Sequence, residues 1–296
     1  LQIEYREKNP VYPRIFQVDR SDAKFVDMVL WQGYGLPAPK TPGLPGQFGE
    51  NLQSWTKRFF HTTYYLADII TDEDWADDKY GVLHRLIPAK GGAMARAFRT
   101  LKEISHANMF NNLGFVAGSS VAGSPDGVCL FSTSHPTSSN NTTTLIANRP
   151  TVDADLSITT AQAAAINLRL QYAANGVEYA DNEIKGCFFN PALEYVAKQV
   201  WKGKWERGTG DRNENYLTDD QVDLIPWAYF KSSGATGTNN SWGVFGDTHY
   251  MYSFDRTNYK VDTDHDIFVL AMIFAASFRF SNGWADFRGV FGSKGQ

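Results

Sequence analysis

The chain is 296 residues long, enough for one large domain or two modest ones with a substantial core. Hydrophobic residues make up 43% and charged residues 20%, the balance of a globular chain and not of a disordered one. A net charge of −4 argues against tight, phosphate-directed binding of duplex nucleic acid, yet not against enclosing nucleic acid behind a nearly neutral surface.

Taken in chain order, the first stretch, "LQIEYREKNP", is polar and charged and carries no signal-peptide pattern. With Pro10, Pro13 and no helical period, the first twenty residues read as an extended arm that does not fold alone. The opening Leu is compatible with trimming of a leading segment. "KFVDMVLWQGYG" alternates as a strand and leads into "GYGLPAPKTPGLPGQFGE", which holds Pro37, Pro39, Pro42 and Pro45 and cannot build a core. "SWTKRFFHTTYYLADII" returns as an aromatic, β-branched strand, so residues 25 to 70 read as a long hairpin with a Pro/Gly tip. "TDEDW" offers Thr71 as a helix N-cap with three acids behind it, and a helix is expected from Thr71 to Asn112, bent or interrupted at Pro88 and Gly91-Gly92. Met94, Ala97, Phe98, Leu101 and Ile104 form its apolar stripe, while Arg96, Arg99, Lys102 and Glu103 fall between them, the first three as a basic face.

"VCLFST" reads as a strand ending in a turn, and "LSITTAQAAAINLRLQYAANG" as a helix closing near Gly176. "IKGCFFNPALEYVAKQVWKG" reads as strand, turn and helix, with Asn190 capping behind Pro191. "QVDLIPWAYF" and "SWGVFGDTHYMYSF" are strand-like, and Ile267 to Phe278, too short to span a bilayer, reads as buried strand. Strands and helices mix without βαβ alternation, which predicts an α+β fold.

Candidate chemistry is thin. "GYGLPA" fits a dinucleotide fingerprint only in outline, since Pro37, Pro39 and Pro42 forbid the helix that must follow. Asp262, Asp264 and Asp266 open like a calcium loop, but Ile267 and Ile273 stand where Gly and Glu are needed. Cys129 and Cys187 match no disulfide or zinc spacing and read as small hydrophobes. The sharper question is "DGVCLFSTSHP", where Ser132, Ser134 and His135 crowd together. Adjacent Ser and His need not face each other, and Pro136 holds His135 extended, so a structural turn is preferred. A Ser134-based hydrolase, or a carbohydrate-active enzyme using carboxylates in an aromatic cleft, is the alternative from a different class.

Together, "DGVCLFSTSHP", "FFNPALEYVAKQVW" and the terminal "WADFRGVFGSKG" resemble the major capsid proteins of tailed bacteriophages, in particular the Mu-like major head subunits. The resemblance implies the Hong Kong 97-type capsid fold: an N-arm (1–24), an E-loop hairpin (25–70), a P-domain with a long spine helix (71–154), an A-domain (155–255) and terminal strands returning to the P-domain (256–296). It implies a structural protein, not an enzyme, with no cofactor or metal. Copies would join in hexamers and pentamers, with a portal, a scaffold or decoration proteins, around non-specifically held double-stranded DNA. They would sit in the virion capsid, assembled in the bacterial cytoplasm with no membrane involved. Expected inter-subunit contacts are Trp31, Tyr34, Pro37, Pro45, Phe48 and Trp55 in the hairpin and Tyr5, Arg6, Tyr12 and Arg14 in the arm, with Arg96, Arg99 and Lys102 toward the interior. Lys40 and Lys57 lie in the hairpin, but nothing marks either for an isopeptide cross-link, so a non-covalent shell is expected. A cellular nanocompartment shell of the encapsulin type is the alternative within the same fold.

Overall fold

The computed structural model describes residues 9–111, 114–115, 124–205, 214–218, 221–231 and 239–296. It is mixed α+β and divides into two compact units. The first gathers the described residues of Leu1–Val26 with Phe59–His106 and Tyr252–Gly283; the second holds Asp27–Arg58, Ala107–Met251 and Trp284–Gln296.

The first unit is built on a four-stranded sheet in the order β1 (Gln17–Arg20), β10 (Met251–Asp266), β11 (Ala271–Trp284), β4 (Thr62–Thr71). β11 runs antiparallel to β4 from Ala271 opposite Thr71 to Phe280 opposite Thr62. Helix α2 (Val82–Asn111) lays Met94, Ala95, Phe98 and Leu101 against Tyr64, Tyr259, Ala276, Phe278 and Phe280. Phe98 meets Tyr259 and Phe278 edge-on at 5.3 and 5.0 Å, the geometry that aromatic quadrupoles favour. Truncating such a buried ring costs about 3–5 kcal/mol.

Thr71 caps α1 (Asp72–Asp77) as expected, its hydroxyl accepting from the Asp74 amide at 3.1 Å. The interruption falls elsewhere than expected. The break lies at residues 78–81, where Gly81 takes φ +65°, and α2 then runs unbroken through Pro88 and Gly91-Gly92. The Asp78 carboxylate makes a fresh start there, accepting from the Val82 and Leu83 amides at 2.8 Å each. Pro88 sits in the second turn and is exposed, so the carbonyl it frees can be hydrated.

Two further expectations are corrected in this unit. Residues 9 to 24 are not a free arm: Ile15 and Phe16 are buried, and β1 pairs parallel with β10 from Gln17 opposite Tyr252 to Arg20 opposite Asp255. The run Ile267 to Phe278 is not one buried strand either. β10 ends at Asp266, residues 267–270 turn in solvent, and β11 begins at Ala271. An antiparallel pair needs a tip, and here the apolar run supplies it.

The second unit centres on a sheet in the order β12 (Val290–Ser293), β9 (Trp242–Gly246), β7 (Ile184–Phe189), β8 (Asp223–Pro226). Its central strands are apolar on both faces, and both faces are covered. Cys187, Phe189, Trp242, Val244 and Phe291 meet α3 (Ile158–Leu170) and α4 (Glu194–Lys202) through Ala161, Ala164, Leu168, Ala197, Val200 and Trp201. Phe188 points the other way, 4.6 Å from Phe110 and 5.2 Å from Phe230. Both cysteines are free and buried, and burial pushes the Cys187 thiol up to about 12, so it serves as a hydrophobe. α3 opens on a Ser157–Thr160 capping box but ends at Leu170, short of Gly176, which instead forms a turn at φ +70°. Asn190 caps behind Pro191 as the sequence indicates.

Candidate assembly surfaces and the FSTSHP turn

β2 (Phe25–Trp31) and β3 (Gln53–Phe60) form a two-stranded ribbon. Its stem is fixed by a bidentate Arg58–Asp27 pair at 2.7 Å, which holds the Asp27 carboxyl below its usual range. The Gln32 amide reaches the Leu52 carbonyl at 2.9 Å, and the Gly33 amide reaches Asn51 at 3.0 Å. The Asn175 side chain donates to the Tyr34 carbonyl, and the Ser139 amide donates to Ser54. Beyond those ties the connection of residues 34–50 stands in solvent. Trp31, Tyr34, Pro37, Pro45 and Phe48 are all exposed, Phe48 to 93%, and Leu36 and Leu44 join them; Trp55 is half-buried. Exposed apolar residues gathered on one Pro-rich connection with no core of its own are unusual for a solvated loop.

Of the arm residues, Tyr5 and Arg6 lie outside the described residues. Arg14 is exposed. Tyr12 is already engaged within its own chain: its ring stacks on His106 at 4.3 Å and lies 4.9 Å from the Lys102 ammonium, and burial raises its hydroxyl pKa. That arrangement also corrects the basic face. Arg96 is exposed and Arg99 half-buried, but Lys102 is buried and holds both Asp255 oxygens at 2.7 and 2.8 Å. Lys102 sits one turn before His106, on the side of α2 that meets β10, so its charge is spent inside the unit.

His106 is buried and neutral. Its Nδ1–H donates to the Lys102 carbonyl at 2.7 Å, and its Nε2 accepts from the Ser253 hydroxyl at 2.9 Å. Burial brings its pKa down to about 3.

The FSTSHP turn is a structural junction. "VCLFST" does not form the expected strand, because the Asn148 side chain takes up its backbone groups: Nδ2 donates to the Leu130 carbonyl at 2.7 Å and Oδ1 accepts from the Ser132 amide at 2.9 Å. The strand begins instead at His135, as β5 (His135–Ser138), antiparallel to β6 (Asn141–Ile146). The His135 ring is wholly buried. Its Nδ1 donates to the Asp126 carboxylate at 2.6 Å, and its Nε2 faces the Leu130 carbonyl at 3.1 Å and Asn148 Oδ1 at 3.2 Å. The Ser134 hydroxyl turns away and meets Ser132 at 3.2 Å. A nucleophile's base needs one ring nitrogen facing the nucleophile, and both are taken up here by other groups, so the Ser134 hydrolase geometry is not formed.

Two of the three motifs quoted above meet in this place, which their separation in sequence did not suggest. His135 stacks flat on Phe287 of "WADFRGVFGSKG" at 3.9 Å, and the Arg288 guanidinium lies 4.7 Å from the same ring. Arg288 is itself buried, pairing with Asp286 at 2.8 Å and donating to the Thr137 and Tyr172 carbonyls at 2.5 and 2.7 Å. Gly289 follows at φ +77°, and a Cβ there would fall 1.9 Å from the Thr248 carbonyl oxygen, so no other residue fits.

Among the described residues there is no cluster of His, Cys, Asp or Glu able to hold a metal ion, and no helix long and apolar enough to cross a membrane. No family model and no curated relative matches the sequence. Solved structures match across nearly the whole chain. The capsid structure of Cyanophage P-SCSP1u aligns over 96% of this chain and 88% of its own at TM-score 0.59 and 14% identity. The capsid of a native GTA particle aligns over 95% and 88% at 0.55 and 13%. The capsid of Myoviridae Phage XM1 aligns over 98% and 94% at 0.53 and 9%. At such identities sequence kinship is not legible, but the architecture is: this chain has the fold of phage capsid proteins.

Proposed function

We propose that this chain is the major capsid subunit of a tailed bacteriophage, self-assembling into an icosahedral shell around a double-stranded DNA genome. The observation that carries the reading is the near-complete overlap, in both directions, with capsid proteins. The exposed apolar ribbon is what such a protein requires, a surface that only another copy can bury.

On this reading β2–β3 and their connection form the E-loop within residues 25–70, α2 is the spine helix of a P-domain over 71–154, residues 155–255 hold the A-domain, and 256–296 return toward the P-domain, except that β12 pairs with β9 of the 155–255 segment. Residues 1–24 are the N-arm, whose described part is docked on its own chain. Trp31, Tyr34, Pro37, Pro45, Phe48 and Trp55 contact neighbouring copies in hexamers and pentamers, and the prolines reduce what is lost in ordering the connection. Arg96 and Arg99 face the packaged DNA. The shell is non-covalent, held by buried area and not by Lys40 or Lys57. Portal and scaffold or decoration proteins complete the virion, assembled in the host cytoplasm.

The test is assembly. Purified protein is followed by sedimentation velocity and negative-stain microscopy, beside a variant whose Pro37–Pro45 segment is replaced by a short Gly/Ser turn. That segment touches no core, so the variant folds. Shells or ring-like capsomers lost in the variant support the reading; a monomer at all concentrations overturns it.

A further inference from the structure

The tip between β10 and β11 reads "IFVL" where polar turn residues are the norm. Ile267, Phe268, Val269 and Leu270 all stand in solvent, and Phe268 is 99% exposed. The tip is also held in shape. The Phe268 amide donates to the Asp266 carboxylate at 2.8 Å, and the Asp72 amide donates to the Leu270 carbonyl at 2.9 Å. Leu270 takes φ +49°, a left-handed conformation that costs a non-glycine residue and tends to persist where function requires it.

The same unit contains a complementary feature. Between α2 and the sheet lies a cavity of about 120 Å³, lined by Ile70, Ile87, Pro88, Met94, Val261 and Phe274. An apolar cavity of about 150 Å³ holds a benzene molecule, so this smaller one takes an aromatic ring when its mouth widens slightly. Its own Phe268 does not fill it. Lys90 and Asp68 stand on its rim as an ion pair at 3.0 Å, so the rim carries no net charge and the match to the tip is one of apolar surface.

We propose that Phe268 of one copy seats in this cavity of a second copy. The inference rests on the self-assembly reading above and gives it a specific contact. Knob and hole are different patches of one chain, so a head-to-tail contact leaves each copy able to engage a further neighbour, as a shell needs. The tip is already ordered, so docking loses little conformational freedom.

The experiment uses the full chain. Cys129 and Cys187 are buried, so introduced thiols report alone. The Phe268→Cys, Ile87→Cys double variant, oxidised with copper phenanthroline after assembly, should give chain-to-chain disulfides that neither single variant gives. Phe268→Asp should raise the protein concentration needed for assembly at least tenfold, while the subunit's melting temperature is unchanged because the ring touches nothing in the monomer. If the wild type assembles, Phe268→Asp assembles at the same concentration and the double variant gives no inter-chain disulfide, the knob-in-hole contact is wrong and the capsid reading stands. If the wild type never assembles, both fall together.

Discussion

Asp126→Asn isolates the claim that FSTSHP is a structural junction. The Asp126 carboxylate is 3% exposed and its partner His135 not at all, at 2.6 Å, so solvent screening does not weaken the pair. Ser124 and the Val128 amide also donate to it, at 2.5 and 3.2 Å. Burial alone would raise its pKa; the hydrogen bond and charge of His135 outweigh that and hold it below the ordinary value. Removing one member of such a buried pair costs about 3–5 kcal/mol, because the other is left uncompensated. For a chain of this size that is a fall in melting temperature of roughly 5–8 °C. The stabilisation of a lowered carboxyl is present above its unfolded pKa and lost as pH falls through the folded one. The wild type should therefore shed this part of its stability below about pH 4, and Asp126→Asn should not. Urea unfolding of dissociated subunits at several pH values reads both effects, with Ser134→Ala as the control and a change under about 0.5 kcal/mol expected there. An Asp126→Asn variant within about 1 kcal/mol of wild type, or a Ser134→Ala variant as damaged as Asp126→Asn, would refute the reasoning.

Other outcomes follow from the same geometry. His106 is buried with a pKa near 3, so on acidification the unfolded chain takes a proton below about pH 6.5 and the folded chain does not. Stability should fall by up to about 1.4 kcal/mol per pH unit there, and His106→Phe should flatten that slope in pH-dependent unfolding curves. Lys102→Met strands Asp255 beside Tyr12 and should cost about 3–5 kcal/mol in chemical denaturation, whereas Arg96→Ala at an exposed site should cost under about 0.5 kcal/mol. Gly289→Ala forces a methyl into the Thr248 carbonyl at a positive φ and should leave little soluble protein on expression, while Lys24→Ala at an exposed site expresses normally. Reversing Arg96 and Arg99 to Glu should leave shell formation intact and reduce DNA content per particle, read by the 260/280 nm absorbance ratio; unchanged content would remove the interior assignment.

What the sequence made legible was mostly local. Thr71 and Asn190 each announce a helix start through side-chain chemistry that acts within three residues, and each start lies where that chemistry places it, Asn190 opening on a short 3₁₀ turn; Ser157 makes the same kind of start, which the sequence reading passed over. The Pro-rich connection after Trp31 declares itself coreless for the same reason, and its apolar residues are exposed. The misses share a different cause: each depended on a partner distant in the chain. "VCLFST" has strand composition, but Asn148, sixteen residues beyond Ser132, claims its backbone. Lys102 looks like one cation of a solvated face until Asp255, 153 positions away, is found opposite it. Pro88 and Gly91 looked like breakers, yet a sheet covering the apolar side of α2 outweighs their local cost.

The tip at Phe268 is the most instructive miss, because the hydrophobic pattern was read correctly and still misled. "IFVLAMIFAASF" is apolar because it is buried, as the sequence rule has it, but the rule does not say in which molecule. From Ala271 onward the run alternates over its own sheet, with Ala276, Phe278 and Phe280 under α2. Its first four residues have no such cover within the chain. In a monomeric protein that would be an aggregation liability selected against; in a subunit meant to be surrounded by copies of itself it is unfinished core. The same argument applies to Phe48 and Leu36 in the ribbon connection. For an assembling protein, the places where apolar sequence and single-chain exposure disagree are the places to look for the interface.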